Sequence, residues 1–249
     1  MPYLIVLPVL FFLSMISGML GIGVAFAAVP LLSLFMDDLV NEVHPLSLIL
    51  NGVTALFSVF GFAHAGLVRW KRATALSVST TLGAPIGALL ARNASETFLW
   101  IVYFSAVLLL LYEIFMAEFT ENKQERFTLA LLLAFPISVI TGFIGVGPGF
   151  VLVPVLAKCG IKFKEAAALN AFAVVPSSFA AAAMHLRHSH LDPVMVGVLV
   201  ACGGMGALLG SVIASHKMPT ALLRQVLGLT ILAVTAYKLF QILHGGAAN

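Results

Sequence analysis

The stretch SGMLGIGVAFAAVPLL at 17–32 returns without a gap as TGFIGVGPGFVLVPVL at 141–156. Gly18 falls on Gly142, Gly21 on Gly145, Gly23 on Gly147, Phe26 on Phe150 and Pro30 on Pro154. Glycine and proline are the residues that open a helix, so what is duplicated is a feature of the backbone. Further along, Leu50-Asn51 aligns with Leu169-Asn170, and GALL at 87–90 with GALL at 206–209. One unit used twice is therefore expected, at 1–117 and 127–249, with the polar stretch EFTENKQER at 118–126 as the linker between them.

The solvent of this chain is lipid. Of its 249 residues 61% are hydrophobic and 9% charged, with a mean hydropathy of +1.09, too little polar surface to coat a water-soluble globule. Apolar stretches run through 3–36, 43–68, 73–91, 97–117, 127–157, 165–186, 193–215 and 221–243. Each exceeds the roughly 18 residues that span hydrocarbon. The fold class predicted is all-α and polytopic, with eight to ten membrane helices. No Lys or Arg precedes Arg69, so the first stretch is expected to stay as a membrane element rather than act as a cleaved signal.

The first segment of each unit is too long for one crossing. About 33 apolar residues would make a helix near 50 Å, against roughly 30 Å of hydrocarbon. The glycines at its middle and the proline after them predict two shorter helices joined by a bend. Charge supports the same reading. If all eight segments simply cross, the basic residues divide seven against six between the two faces. If each first segment returns to its starting side, ten share one face, and only Arg92, Arg187 and Lys238 oppose them. Such a bias marks a cytoplasmic face, and it places the acidic DDLVNE loop, 37–42, outside. The two units then form an inverted repeat with both termini outside.

A duplicated break in corresponding positions of two halves points to a transporter binding site. Freed backbone N–H groups and half-helix N-termini can hold an anion without a buried Lys or Arg. The substrate-binding candidates are Gly21, Gly23, Gly145, Gly147 and Gly149 in the breaks, with Asn51, Asn170 and Ser177 from the following helices. Thr54, Ser58 and Ser178 accompany them. The two amides read equally as interhelical glue and as donors to an oxyanion. Gly83-xxx-Gly87 and Gly206-xxx-Gly210 read as packing faces. His64, His185, His188 and His190, at the ends of the second helix of each unit, could relay a proton or sense pH; His64, inside an apolar stretch, is the better relay candidate, and the HSH cluster at 188–190 reads first as interfacial. Arg92 and Arg187 are candidates for recruiting an oxyanion or for snorkelling to headgroups.

Enzyme classes find no support: GxxxxGK[ST], HExxH, GxSxG and CxxC are all missing from the sequence. Cys159 and Cys202 have no metal-ligand spacing, and no cofactor or metal is expected. A pI of 9.0 is explained by membrane orientation, not by nucleic acid.

The elements from Ser17 to Pro30 and from Thr141 to Pro154, the Asn after a leucine in the next helix and the later GALL together resemble the sulfite exporter TauE/SafE family of small membrane permeases. The resemblance covers nearly the whole chain. Val24 and Ala25 stand where the family usually has glycines, and Pro148 interrupts the second copy. The resemblance implies transport of sulfur-containing or organic anions such as sulfite, sulfoacetate or other sulfonates, often outward, with no ATP hydrolysis in the chain. The expected partners are a small anion, the lipid bilayer, a coupling proton and a second copy of the chain as a homodimer. The expected location is a bacterial inner membrane. A channel-like anion permease and a membrane accessory or scaffold protein are the competing readings.

Overall fold

A computed structural model describes residues 3–36, 38–116, 124–186, 189 and 191–216, together with separate positions between 219 and 240. Helix is the only regular structure among them. Helix α1 (Tyr3–Leu20) is followed by α2 (Ala25–Leu32), a five-residue π turn (Leu39–Val43), α3 (His44–His64), α4 (Trp70–Ala91) and α5 (Glu96–Met116). Then come α6 (Phe127–Phe143), α7 (Gly149–Lys158), α8 (Phe163–Leu186) and α9 (Pro193–His216). The described positions from 221 to 240 are all helical. Of the expected linker, 118–123 lie outside the described residues, as do Arg187, His188 and His190.

Four helices are long and apolar enough to cross a membrane: Leu39–His64, Trp70–Ala91, Phe163–His185 and Pro193–Ser215. Val6–Leu20, Glu96–Leu109, Phe127–Phe143 and Gly149–Lys158 are shorter and also apolar. The long first segments are broken as expected. Residues 21–24 separate α1 from α2, and 144–148 separate α6 from α7. Gly21, Gly23, Gly145 and Gly147 take φ of 63°, 73°, 70° and 71°, a left-handed backbone that side-chain-bearing residues avoid.

Small residues bring the helices together. Gly83 and Gly87 on α4 lie against Ser138 and Val139 of α6, and Gly142 lies against the backbone of Ala84. Gly206 and Gly210 on α9 meet the backbone of Phe11 and Met15 on α1, where Gly18 returns the contact at Ala207. Such contacts let backbones approach closely and gain dispersion energy where lipid offers no hydrophobic drive. The centre is α3 packed along α8, the two most enclosed spans. Large apolar side chains such as Phe12, Leu108, Leu109, Leu132 and Val194 face outward, as a lipid-facing surface requires.

The two ends of the bundle differ. At one end, Arg69 Nε lies 2.8 Å from Glu165 Oε1 and Arg72 Nη1 lies 2.6 Å from Glu125 Oε2. The segment before α4 and the N-terminal ends of α6 and α8 therefore share this end. The hydrogen bond from Arg72 holds the Glu125 carboxyl below its usual range, against a small opposing effect of burial. The other end carries the acidic turn. Burial pushes the Asp38 carboxyl upward, but the Asn41 side chain and the N–H groups of Asn41 and Val40 outweigh it and keep the group below its ordinary value.

Candidate functional site

The two breaks meet at the middle of the bundle. A Cβ built on Gly149 would overlap the Ile22 carbonyl, so the backbones touch directly. Phe26 and Phe150, just inside α2 and α7, stack with centroids 6.5 Å apart and planes at 20°. Tyr103 on α5 anchors the first pair by donating its hydroxyl to the Phe26 carbonyl at 2.8 Å.

Around this contact the two asparagines are fully buried. Asn51 Oδ1 accepts the Ala25 N–H at 2.9 Å, and Asn51 Nδ2 donates to Ser178 Oγ at 2.8 Å. Thr54 Oγ1 accepts the Val24 N–H at 3.2 Å. The first break is thereby capped by α3, satisfying donors that the opening of the helix left without carbonyls. From the other side, Asn170 Nδ2 donates to the Gly21 carbonyl at 2.6 Å, while Asn170 Oδ1 has no hydrogen-bond partner. Among the described residues no side chain accepts from the first N–H groups of α7.

The glycines are closely fitted to these side chains. A Cβ on Gly23 or Gly147 would overlap the Asn51 amide, one on Gly21 the Ala167 carbonyl, and one on Gly145 the ring of His44. Each break thus lies against α3 or α8, and Asn51 touches both. Gly21, Gly23, Asn51, Gly145, Gly147, Gly149 and Asn170 therefore form one cluster. Ser177 points elsewhere: its hydroxyl donates to the carbonyls of Ala173 and Val174 on its own helix, and its neighbour Ser178 makes the contact to Asn51. His64 ends α3 as an exposed residue, far along the helix from the breaks. His44 and Ser47, which the sequence did not single out, pack on the second break. Ser47 Oγ donates to the Gly145 carbonyl at 2.9 Å.

No Lys or Arg stands among the residues of this centre, so an anion there would be held by amide and backbone donors and by the N-termini of short helices. A polytopic helical bundle whose middle is two opened, glycine-lined backbone elements is the architecture of a membrane transporter of small solutes. Residues 6–238 match the sulfite exporter TauE/SafE family, and the chain belongs to that family. A protein of Methanocaldococcus jannaschii described as a probable membrane transporter protein is 26% identical over 189 residues, covering 68% of each chain. No solved structure matches.

Proposed function

We propose that the chain is a secondary carrier that exports small sulfur-containing or organic anions, such as sulfite, sulfoacetate or other sulfonates, across a bacterial inner membrane. In this reading 1–117 and 127–249 are repeats of opposite orientation, and the anion passes between their breaks. Gly21, Gly23, Gly145, Gly147 and Gly149 supply backbone, while Asn51, Asn170 and Ser178 supply side chains. The observation that carries the reading is the crossing of amides. Asn51 reaches both the first break and Ser178 of α8, and Asn170 of α8 reaches back to Gly21. The pairing of Arg69 with Glu165 supports the inverted orientation, since it brings the basic segments 69–72 and 158–165 to one end.

The sequence carries no nucleotide-binding motif, so the drive is an ion gradient or the membrane potential. The potential favours anion exit by roughly 2.3 kcal/mol per charge per 100 mV. In this reading His64, at the exposed end of α3, passes the coupling proton to solvent. The test is flux in proteoliposomes with a panel of sulfite, sulfoacetate, another sulfonate and a carboxylate of similar size. Saturable flux with counterflow of at least one sulfur anion is expected. Flux rising linearly with concentration and without counterflow would replace the carrier with a channel, and no flux of any anion would refute the reading.

A further inference from the structure

At the end of the bundle opposite the arginine–glutamate cluster, two histidines face each other. His44 opens α3 and His185 stands one residue from the end of α8. Each is 1% exposed, and their ring centroids lie 5.7 Å apart with planes at 82°. Nδ1 of His44 has no hydrogen-bond partner, and the His185 ring has only a loose contact with the Val40 backbone. Leaving ring nitrogens buried and unpartnered costs free energy, and an apolar side chain would fill the same space without that cost. The His44 ring also presses on the second break at Gly145, whose carbonyl is held by Ser47 one turn further along α3.

We infer that His44 and His185 form a binding site for one proton, and that its occupancy controls the second break. The inference rests on the carrier reading above. Neutral imidazoles pack edge to face in this pocket. A protonated ring has two N–H donors and must find acceptors or water, so it cannot keep its place against Gly145. A second proton 5.7 Å away would place two like charges in a buried site, so the pair takes one at a time. Among the described residues the charge of Asp38, on the turn before α3, reaches His44, and that of Arg92, at the end of α4, reaches His185. Glu42 lies on the same turn as Asp38, Glu96 borders the same surface hollow, and Asp192 begins the approach to α9. The α6–α7 break and helix α2 contribute no ionisable side chain, and α1 carries only Tyr3. His188 and His190 lie outside the described residues.

The test compares two modes in proteoliposomes holding the full chain, with labelled sulfite as probe and the voltage clamped at zero. One mode is accumulation driven by a pH gradient; the other is exchange at equal pH. His44→Gln and His185→Gln are both expected to lower gradient-driven accumulation at least about 10-fold, with exchange in His185→Gln staying within about 3-fold of the parent. Gradient-driven accumulation at the parental level in both variants would overturn the proton site. If the parent moves no sulfite in either mode, or the variants lose both modes, histidine ring nitrogen spectra of the purified protein decide. As the pH is lowered the two rings should then titrate as a coupled pair, each altered by replacing the other. Rings that stay neutral throughout, or that titrate independently, would overturn the site irrespective of transport.

Discussion

The two breaks share their glycines and differ in how their polar groups are satisfied. In the first, Asn51 uses both ends of its amide and Thr54 takes the Val24 N–H, so α2 begins with its donors capped. In the second, Asn170 uses only its Nδ2 group, and does so on the first break. Counted from the Leu-Asn pairs, Thr54 corresponds to Ala173, and Val24 corresponds to Pro148 in the duplicated element. Donor and acceptor are thus both missing from the second half, because proline has no N–H and alanine no hydroxyl. Equal spacing of glycines therefore gives equal backbone shape without equal hydrogen bonding. The first break is tied down by side chains, and the second, bordered by His44 and Ser47, keeps the open helix N-terminus.

The largest expected effect comes from removing the amides. Asn51→Leu leaves both the Ala25 N–H and Ser178 without their partner and should cost about 2–4 kcal/mol, whereas Asn170→Leu strands only the Gly21 carbonyl and should cost about 1–2 kcal/mol. Thermal unfolding in detergent checks the order, and a larger loss for Asn170→Leu would reverse the comparison. A smaller effect would sharpen it. Pro148→Val combined with Ala173→Thr moves the cap of the first break into the second and should add about 0.5–1.5 kcal/mol, more than the two single changes summed. Strict additivity would mean that the transplanted hydroxyl does not reach the new N–H. The smallest effect lies at the charged end. Because Glu125 is held below its usual range in the folded chain, its contribution is present above the ordinary carboxylate pKa and fades as pH falls through the lowered one. With Glu125 exposed beside Arg72, Glu125→Gln should shift unfolding by under about 1 kcal/mol near neutral pH and have no effect once acid has protonated the parent.

The breaks and the two asparagines were legible in the sequence because glycine, proline and amide are each conspicuous in apolar segments, and because each occurred twice at matching positions. Which serine meets Asn51 was not legible: adjacent residues on a helix point about 100° apart, and only the packing of α3 on α8 selects Ser178 over Ser177. His44 was missed for a similar reason. Beside an acidic loop it reads as an ordinary helix-end residue, and its partner His185 lies in a different helix with no local pattern to link them. The meeting of Arg69 with Glu165 likewise depends on tertiary packing, although the charge bias of the loops had pointed to the same end.

Counterflow of labelled sulfite tests most directly whether the anion passes between the breaks, using Gly147→Val and Asn170→Leu beside the lipid-facing control Leu132→Ala. Gly147 has a φ of 71° and lies against the Asn51 amide, so valine there disturbs the break itself. The expected result is that all three proteins are expressed and folded, that Leu132→Ala exchanges like the parent, and that both site variants fall at least about 10-fold. Parental exchange rates in Gly147→Val and Asn170→Leu together would place the pathway elsewhere in the bundle.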